Sequence, residues 1–218
     1  MTAPEASNCN PPLDLRLSEG VRPLRAAYAD PPYLGLSVSF YGDIHPNAAE
    51  YDDPEAHRRL IERLCDEYDC WALSLHPPTL KTMLNFCPDD VRVMPWVKGF
   101  ASFKPGRKDA HPAWEPVIVR GGRKRDERLH CVRDWIQESM TLKRGFRGAK
   151  PERFCFWLFE VMNLWPEDEF HDLFYGSGAV TEAWEKWKTR TQPVQHGLFQ
   201  GPNYDSPDRV SSAPCTDP

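Results

Sequence analysis

Apolar residues along the chain fall into short blocks whose spacing predicts alternating strands and helices. Leu24 to Ala29 (LRAAYA) is short and largely apolar and predicts a buried strand. PEAHRRLIERLCDEY (54–68) carries apolar residues at helical spacing among charges, so it predicts an amphipathic helix, and CWALSLH (70–76) a second strand. Pro77 and Pro78 open a further helix through Asn85. VRVMPWV (91–97) and WEPVIVR (114–120) predict strands whose internal prolines place them at an edge or a bulge. PERFCFWLFEVMNLW (151–165) is apolar on nearly every side, with Pro151 suited to a first helical turn, and predicts a deeply buried helix. EFHDLF then reads as a short strand, YGSG as a turn and AVTEAWEKW as a helix. Trp184 and Trp187, at helical spacing, belong to a core. The alternation implies the α/β class, an open, mostly parallel sheet with flanking helices.

The chain has 218 residues, enough for one domain with a real core. Residues 1–20 and 189–218 are rich in Pro, Ser, Asp and Asn without periodicity and read as disordered ends around a domain at 21–188. No run approaches the roughly 20 apolar residues that span a bilayer, and the first residues lack a basic start and an apolar stretch. A cytoplasmic protein is expected. Its seven cysteines form no C-x-x-C pair and fit buried free thiols. The histidines are scattered, without H-E-x-x-H or a Cys/His cluster, which gives a metal site little support.

Charge is unevenly placed. The net charge is −5, yet Lys98 to Lys150 holds fourteen Lys/Arg against six Asp/Glu, +8, leaving −13 elsewhere. Such a segment suits a polyanion, or is a solvated charged loop. Within it Arg123, Lys124, Arg125, Lys143, Arg144 and Arg147 are candidate phosphate contacts, which position a nucleic acid without reading its sequence.

Two short stretches carry candidate chemistry. YADPPYLG (28–35) sets an acid, two prolines and an aromatic ring after the first strand. Successive prolines donate no backbone hydrogen bonds and fix a turn that exposes acceptors, which suits a planar ligand bearing an NH2 group. An Asp before two prolines is also a plain turn. DLFYGSGAVTEAW (172–184) is a strand, a glycine turn and a helix start, where backbone approaches a ligand closely and free N–H groups are offered. It lacks the P-loop lysine and the full dinucleotide fingerprint, so it suits a small polar cofactor, or is a tight turn.

Taken together, D-P-P-Y after one strand and D-x-F-x-G-S-G after another resemble the S-adenosylmethionine-dependent amino-methyltransferases. Their order resembles the permuted class acting on adenine N6 or cytosine N4 of DNA. GAKPERF (148–154) is similar to that class's helix leading into the cofactor strand, and WVKGFASFKPG…HPAWEPVIVRGGRK to its middle segment. The resemblance covers residues 24–188 and implies a Rossmann-like methyltransferase fold with permuted motifs. It implies that Asp30, Pro31, Pro32 and Tyr33 are catalytic. Asp30 and the Pro31 carbonyl would hold the exocyclic amine, a poor nucleophile, while Tyr33 stacks on a flipped base. Asp172, Phe174, Gly176, Ser177 and Gly178 would bind S-adenosylmethionine. Lys150 would pair with the cofactor's methionine carboxylate, or be a snorkelling surface lysine. DNA is the implied partner, with a homodimer or a recognition partner, and small members of the class are familiar from bacteriophages.

Two departures stand out. Family members continue past the cofactor helix into a strand whose acidic end binds the ribose, but residues after 188 contain no clear strand, although Asp205 or Asp208 would substitute. No large target-recognition insert is present. The expectation is N6-adenine methylation of DNA. The alternatives are a cytosine-N4 or RNA amino-methyltransferase, or a weak or inactive subunit that binds nucleic acid.

Overall fold

The computed structural model describes residues 22–38, 48–99, 113–125, 131–140 and 149–189. Six strands, β1 (Arg25–Ala29), β2 (Cys70–Ser74), β3 (Arg92–Val97), β4 (Trp114–Gly121), β5 (Ile136–Gln137) and β6 (Glu169–Asp172), form one sheet in the order β5-β3-β4-β2-β1-β6. β1 pairs in parallel with both β2 and β6, and β3 with β5, whereas β4 is antiparallel to β2 and β3. β4 alone therefore runs against the others, as the mostly parallel expectation requires. It lies antiparallel beside β3, and Lys98 N donates to Ala113 O at 2.7 Å where the two strands part.

The internal prolines explain themselves in register. Pro95 lies directly opposite Pro116 in the β3–β4 ladder. Pro116 turns its carbonyl the other way, accepting from Leu75 N at 3.2 Å just past the last β2 pair. The two prolines thus share a position where that ladder asks for no N–H, so proline is tolerated away from an edge.

Alternation sorts the strand residues onto two faces. Ala26, Tyr28, Cys70, Ala72, Val117 and Val119 pack against α3 (Glu152–Val161) and α4 (Ala179–Lys188). Ala27, Ala29, Trp71, Leu73 and Ile118 pack against α1 (Pro54–Glu67) and α2 (Leu80–Leu84). α1 buries Ala56, His57, Leu60, Ile61 and Leu64 along one stripe, and the Asp53 side chain caps its start by accepting from Glu55 N at 3.0 Å. Trp184 is buried and Trp187 packs at the margin of the same core.

Three local differences from expectation have physical reasons. α3 stops at Val161, short of Trp165, because Asn163 adopts φ 53° and Leu164 N closes back onto Phe159 O at 2.9 Å. The stretch after His76 begins as a 3-10 turn, Pro77–Thr79, before α2, since consecutive prolines supply no N–H for α-helical bonds. β5 lies inside the basic segment, anchored by Ile136, which is 7% exposed. No helix among the described residues is long and apolar enough to cross a membrane. All cysteines among them are free, with Cys70 and Cys155 buried.

Candidate active site

β1 is the strand from which the chain leaves in opposite directions. It passes through α1 to β2 on one side, and β6, between α3 and α4, lies on the other. In such sheets the crevice beyond the carboxyl ends at this point takes ligands. Asp30 follows β1 directly, and Asp172, opposite Tyr28 in register, ends β6. Leu173 N donates to Tyr28 O at 2.9 Å. The two stretches singled out in the sequence, 142 positions apart between Asp30 and Asp172, thus share one crevice.

Asp30 sits within a compact polar group. Lys150 Nζ lies 2.9 Å from its Oδ2 and 4.0 Å from Glu115 Oε2. Lys98 pairs with the other Glu115 oxygen. The single proton of the Tyr33 hydroxyl can be donated to Asp30 Oδ1 at 3.4 Å or to Glu115 Oε2 at 3.3 Å. Both ammonium groups face the Trp96 ring, Lys98 at 4.7 Å and Lys150 at 5.3 Å from its centre. Two carboxylates and two ammonium groups therefore balance in a half-dry recess. Burial pushes the Asp30 carboxyl above its ordinary value, against the pull of Lys150. Its side chain keeps 24% exposure, enough for a ligand atom to reach it.

The backbone beyond Asp30 is held from outside. Asp52 Oδ1 accepts from Gly35 N at 2.9 Å and Ser37 N at 3.0 Å, and Oδ2 from Val38 N at 3.3 Å. Ser37 Oγ donates to Tyr33 O at 3.0 Å. These bonds fix the turn that presents Tyr33, whose ring lies nearly parallel to that of His76, 12° apart in tilt with centres 6.0 Å apart. Among the described residues His76 Nδ1 is buried without a hydrogen-bond partner, and burial lowers the imidazole pKa.

The glycine turn forms the other half of the crevice. Thr181 Oγ1 donates to Asp172 Oδ2 at 3.1 Å, while Asp172 Oδ1 is buried with no hydrogen-bond partner among the described residues. Burial raises the Asp172 carboxyl, opposed by Thr181. Gly176 and Gly178 adopt φ 47° and 73°, and a side chain on Gly178 would meet the Tyr175 ring. Ser177 Oγ accepts from Ala179 N at 3.4 Å at the start of α4. Phe174 packs edge-on to Tyr51 with ring centres 5.5 Å apart.

Lys150 is no snorkelling surface lysine, since its side chain is 4% exposed and ion-paired with Asp30. The arginines of the basic run lie elsewhere. β4 carries Gly121 to the amino end of β2, so residues 122–125 emerge at the end of the sheet remote from the crevice. Arg123 is 9% exposed and donates through both terminal nitrogens to Asp168, whose side chain is fully buried. It also stacks on Trp165 at 4.0 Å. Arg125 is half-buried and donates to Glu160 O at 2.5 Å, with burial lowering its pKa. Protein partners thus occupy the guanidinium groups of Arg123 and Arg125, the two described arginines expected to contact phosphates. Lys124 is exposed at the same remote end. Lys143, Arg144, Arg147, Asp205 and Asp208 lie outside the described residues.

Lys98, Glu115, His76 and Asp52 were not singled out from the sequence. Each of the first three sits where a different strand meets the crevice edge, so only the sheet order brings them together. The signal for Lys98 and Glu115 lay in the middle segment WVKG…WEP, where Trp96 proves to pair directly with Glu115.

No family model matches the sequence, and no curated protein matches it. Among solved structures, the fold is similar to a crystal structure of the M1.HpyAVI–SAM complex. The TM-score is 0.52 at 15% identity, covering 76% of this chain and 79% of that one. A structure of M1.HpyAVI gives 0.47 at 14% identity, covering 76% and 78%. The likeness shows the α/β fold, a six-stranded sheet with helices on both faces.

Proposed function

We propose that this chain is an S-adenosylmethionine-dependent DNA methyltransferase that modifies N6 of adenine. The observation that carries the reading is the meeting of Asp30-Pro31-Pro32-Tyr33 and the Asp172–Gly178 turn at the ends of adjacent strands. One half offers acceptors for an amine, and the other a glycine-lined turn at a helix start. The shared fold with M1.HpyAVI, which is seen with SAM, supports this choice of cofactor.

The residues present fit the cofactor. Asp172 Oδ1 is an orphaned buried acceptor suited to the ammonium of its methionine end. Gly176 leaves open space where a side chain would meet only Phe174 O at 3.6 Å, and the start of α4 offers N–H groups to the carboxylate. When bound, S-adenosylmethionine supplies an electrophilic methyl group on sulfonium, and the C–S electron pair stays on sulfur.

The chain's own residues do the rest. The amine lone pair is delocalised into the ring, so Asp30 and the Pro31 carbonyl hold both N–H groups in a geometry that favours a more tetrahedral nitrogen. Tyr33 stacks on the base, a contact worth roughly 1–3 kcal/mol. Positioning supplies most of the acceleration in such a displacement. The amine gains a positive charge as the N–C bond forms and sheds one proton, for which Asp30, with its raised pKa, is a competent acceptor.

The test is incubation with unmethylated DNA and methyl-labelled S-adenosylmethionine, followed by nucleoside mass spectrometry. Label in N6-methyladenine is expected. Label in N4-methylcytosine would move the base assignment, and label in RNA alone would move the substrate.

A further inference from the structure

We infer that Asp30 and Lys150 act together as an acceptor–donor pair that reads the amino edge of the flipped base, Asp30 accepting from the exocyclic amine and Lys150 donating to the neighbouring ring nitrogen. The inference rests on the proposed amino-methyltransferase reading and assigns Lys150 to the base in place of the cofactor carboxylate.

The geometry of Lys150 is the starting point. Its Nζ lies 2.9 Å from Asp30 Oδ2, beside the acceptor that would hold the amine. Lys150 directly precedes Pro151 at the start of α3, where Cys155 N donates to Pro151 O at 3.1 Å, so the backbone that aims it is fixed. A lysine buried to 4% exposure is costly unless it is paired, and Glu115 already has Lys98 as its counter-ion. Lys150 is therefore the partner of Asp30 in particular. An ammonium has three N–H donors, so donating to a base does not require it to leave that carboxylate.

The chemistry of the four bases gives the pair a meaning. Adenine presents an amine donor beside the N1 acceptor, and cytosine an amine donor beside the N3 acceptor. Guanine and thymine present the reverse, a carbonyl beside an N–H. Against Asp30 and Lys150 the reversed order would set oxygen against carboxylate and N–H against ammonium. Sites that hydrogen-bond one polar pattern reject its opposite strongly, because their own buried groups are left unpaired. The pair thus selects amino bases as a class, and the choice between adenine and cytosine is left to the size of the recess around Tyr33.

The test compares kcat/KM on one oligonucleotide carrying adenine or 1-deazaadenine at the target position. The analogue keeps the amine but replaces N1 by C–H. Wild-type protein, Lys150→Met and Lys150→Arg are compared, with S-adenosylmethionine affinity measured by calorimetry for each. Loss of a hydrogen bond to a charged group predicts a fall of about 10- to 100-fold for wild type on the analogue. Lys150→Met should fall similarly on adenine and lose no more than about 3-fold further on the analogue, since the two changes remove one interaction. Lys150→Arg should recover part of the loss, and cofactor affinity should stay constant. Equal wild-type rates on both substrates would overturn the inference, as would losses that multiply. Weakened cofactor binding by Lys150→Met in proportion to its rate loss would overturn it in favour of the cofactor carboxylate. If Lys150→Met does not fold, the two wild-type rates decide alone. Wild-type protein that methylates neither substrate nor any other DNA would refute the proposed function itself, an outcome distinct from equal rates.

Discussion

Arg123 is the residue at which a charge count and the fold disagree most sharply, and Arg123→Met separates them. Its guanidinium is enclosed by Asp168, the Arg22 carbonyl at 3.2 Å and the Trp165 ring. Asp168 also accepts from Leu24 N at 2.7 Å and Trp165 N at 2.7 Å, tying the entry to β1 and the turn before β6 to the end of β4. Removing the arginine leaves a fully buried carboxylate whose charge, among the described residues, two backbone N–H groups oppose. Breaking a buried pair in this way costs about 3–5 kcal/mol. A domain of this size commonly holds some 5–15 kcal/mol in total, so the variant should fold but denature at clearly lower urea, with the slope m unchanged. Salt dependence of DNA binding provides the second reading. A lost phosphate contact would lower the slope of log K against log salt by about 0.9, whereas a structural arginine leaves it unchanged. Lys124→Ala, at an exposed neighbour, is the control and should leave stability within about 0.5 kcal/mol. An Arg123→Met protein as stable as wild type, with weaker and less salt-sensitive DNA binding, would refute the structural assignment.

Three further outcomes follow from the site. Burial raises the Asp30 carboxyl and the proposed transfer needs it ionised, so the acid limb of kcat/KM should lie above the ordinary Asp value of about 3.9. The same shift gives the fold a contribution from Asp30 that is complete below the ordinary value and lost as pH rises through the raised one. Stability and activity should therefore move oppositely across that window, and a limb at or below the ordinary value would contradict the burial argument. Asp52→Ala frees the Gly35, Ser37 and Val38 amides that hold the turn after Tyr33, and should cost about 1–2 kcal/mol in urea denaturation while raising KM for DNA; an unchanged KM would show that Tyr33 is placed by other contacts. Gly178→Ala forces a side chain into φ 73° against Tyr175, which should cost about 1–2 kcal/mol and weaken S-adenosylmethionine binding in calorimetry, whereas wild-type affinity would remove the turn from the cofactor site.

What could be read from the sequence was local. The strand ending in Asp30 and the turn after Asp172 each announce themselves within a few residues, through consecutive prolines in one and closely spaced glycines in the other. Periodicity also located α1 and the buried face of α3, because both are strongly patterned. The polar group around Asp30 was not legible in this way. Lys98, Glu115 and Lys150 come from the end of β3, the start of β4 and the start of α3, and only the strand order brings them within reach of one another. The basic run misled for a related reason. Charge is visible residue by residue, but the reversal of β4, which carries Arg123 to the remote end and onto Asp168, is a property of the sheet. Similarly, the apolar pattern predicts a helix through Trp165, whereas the chain turns at Asn163 in a left-handed conformation and α3 ends at Val161.

In the proposed function Asp30 serves the base and Asp172 the cofactor, and a single paired measurement tests that division. Asp30→Ala and Asp172→Ala are assayed for S-adenosylmethionine binding by calorimetry and for transfer of labelled methyl to DNA. Asp30→Ala should bind the cofactor as wild type does and transfer no detectable methyl group, and Asp172→Ala should lose cofactor affinity. Methyl transfer at the wild-type rate by a folded Asp30→Ala protein would contradict the role proposed for Asp30.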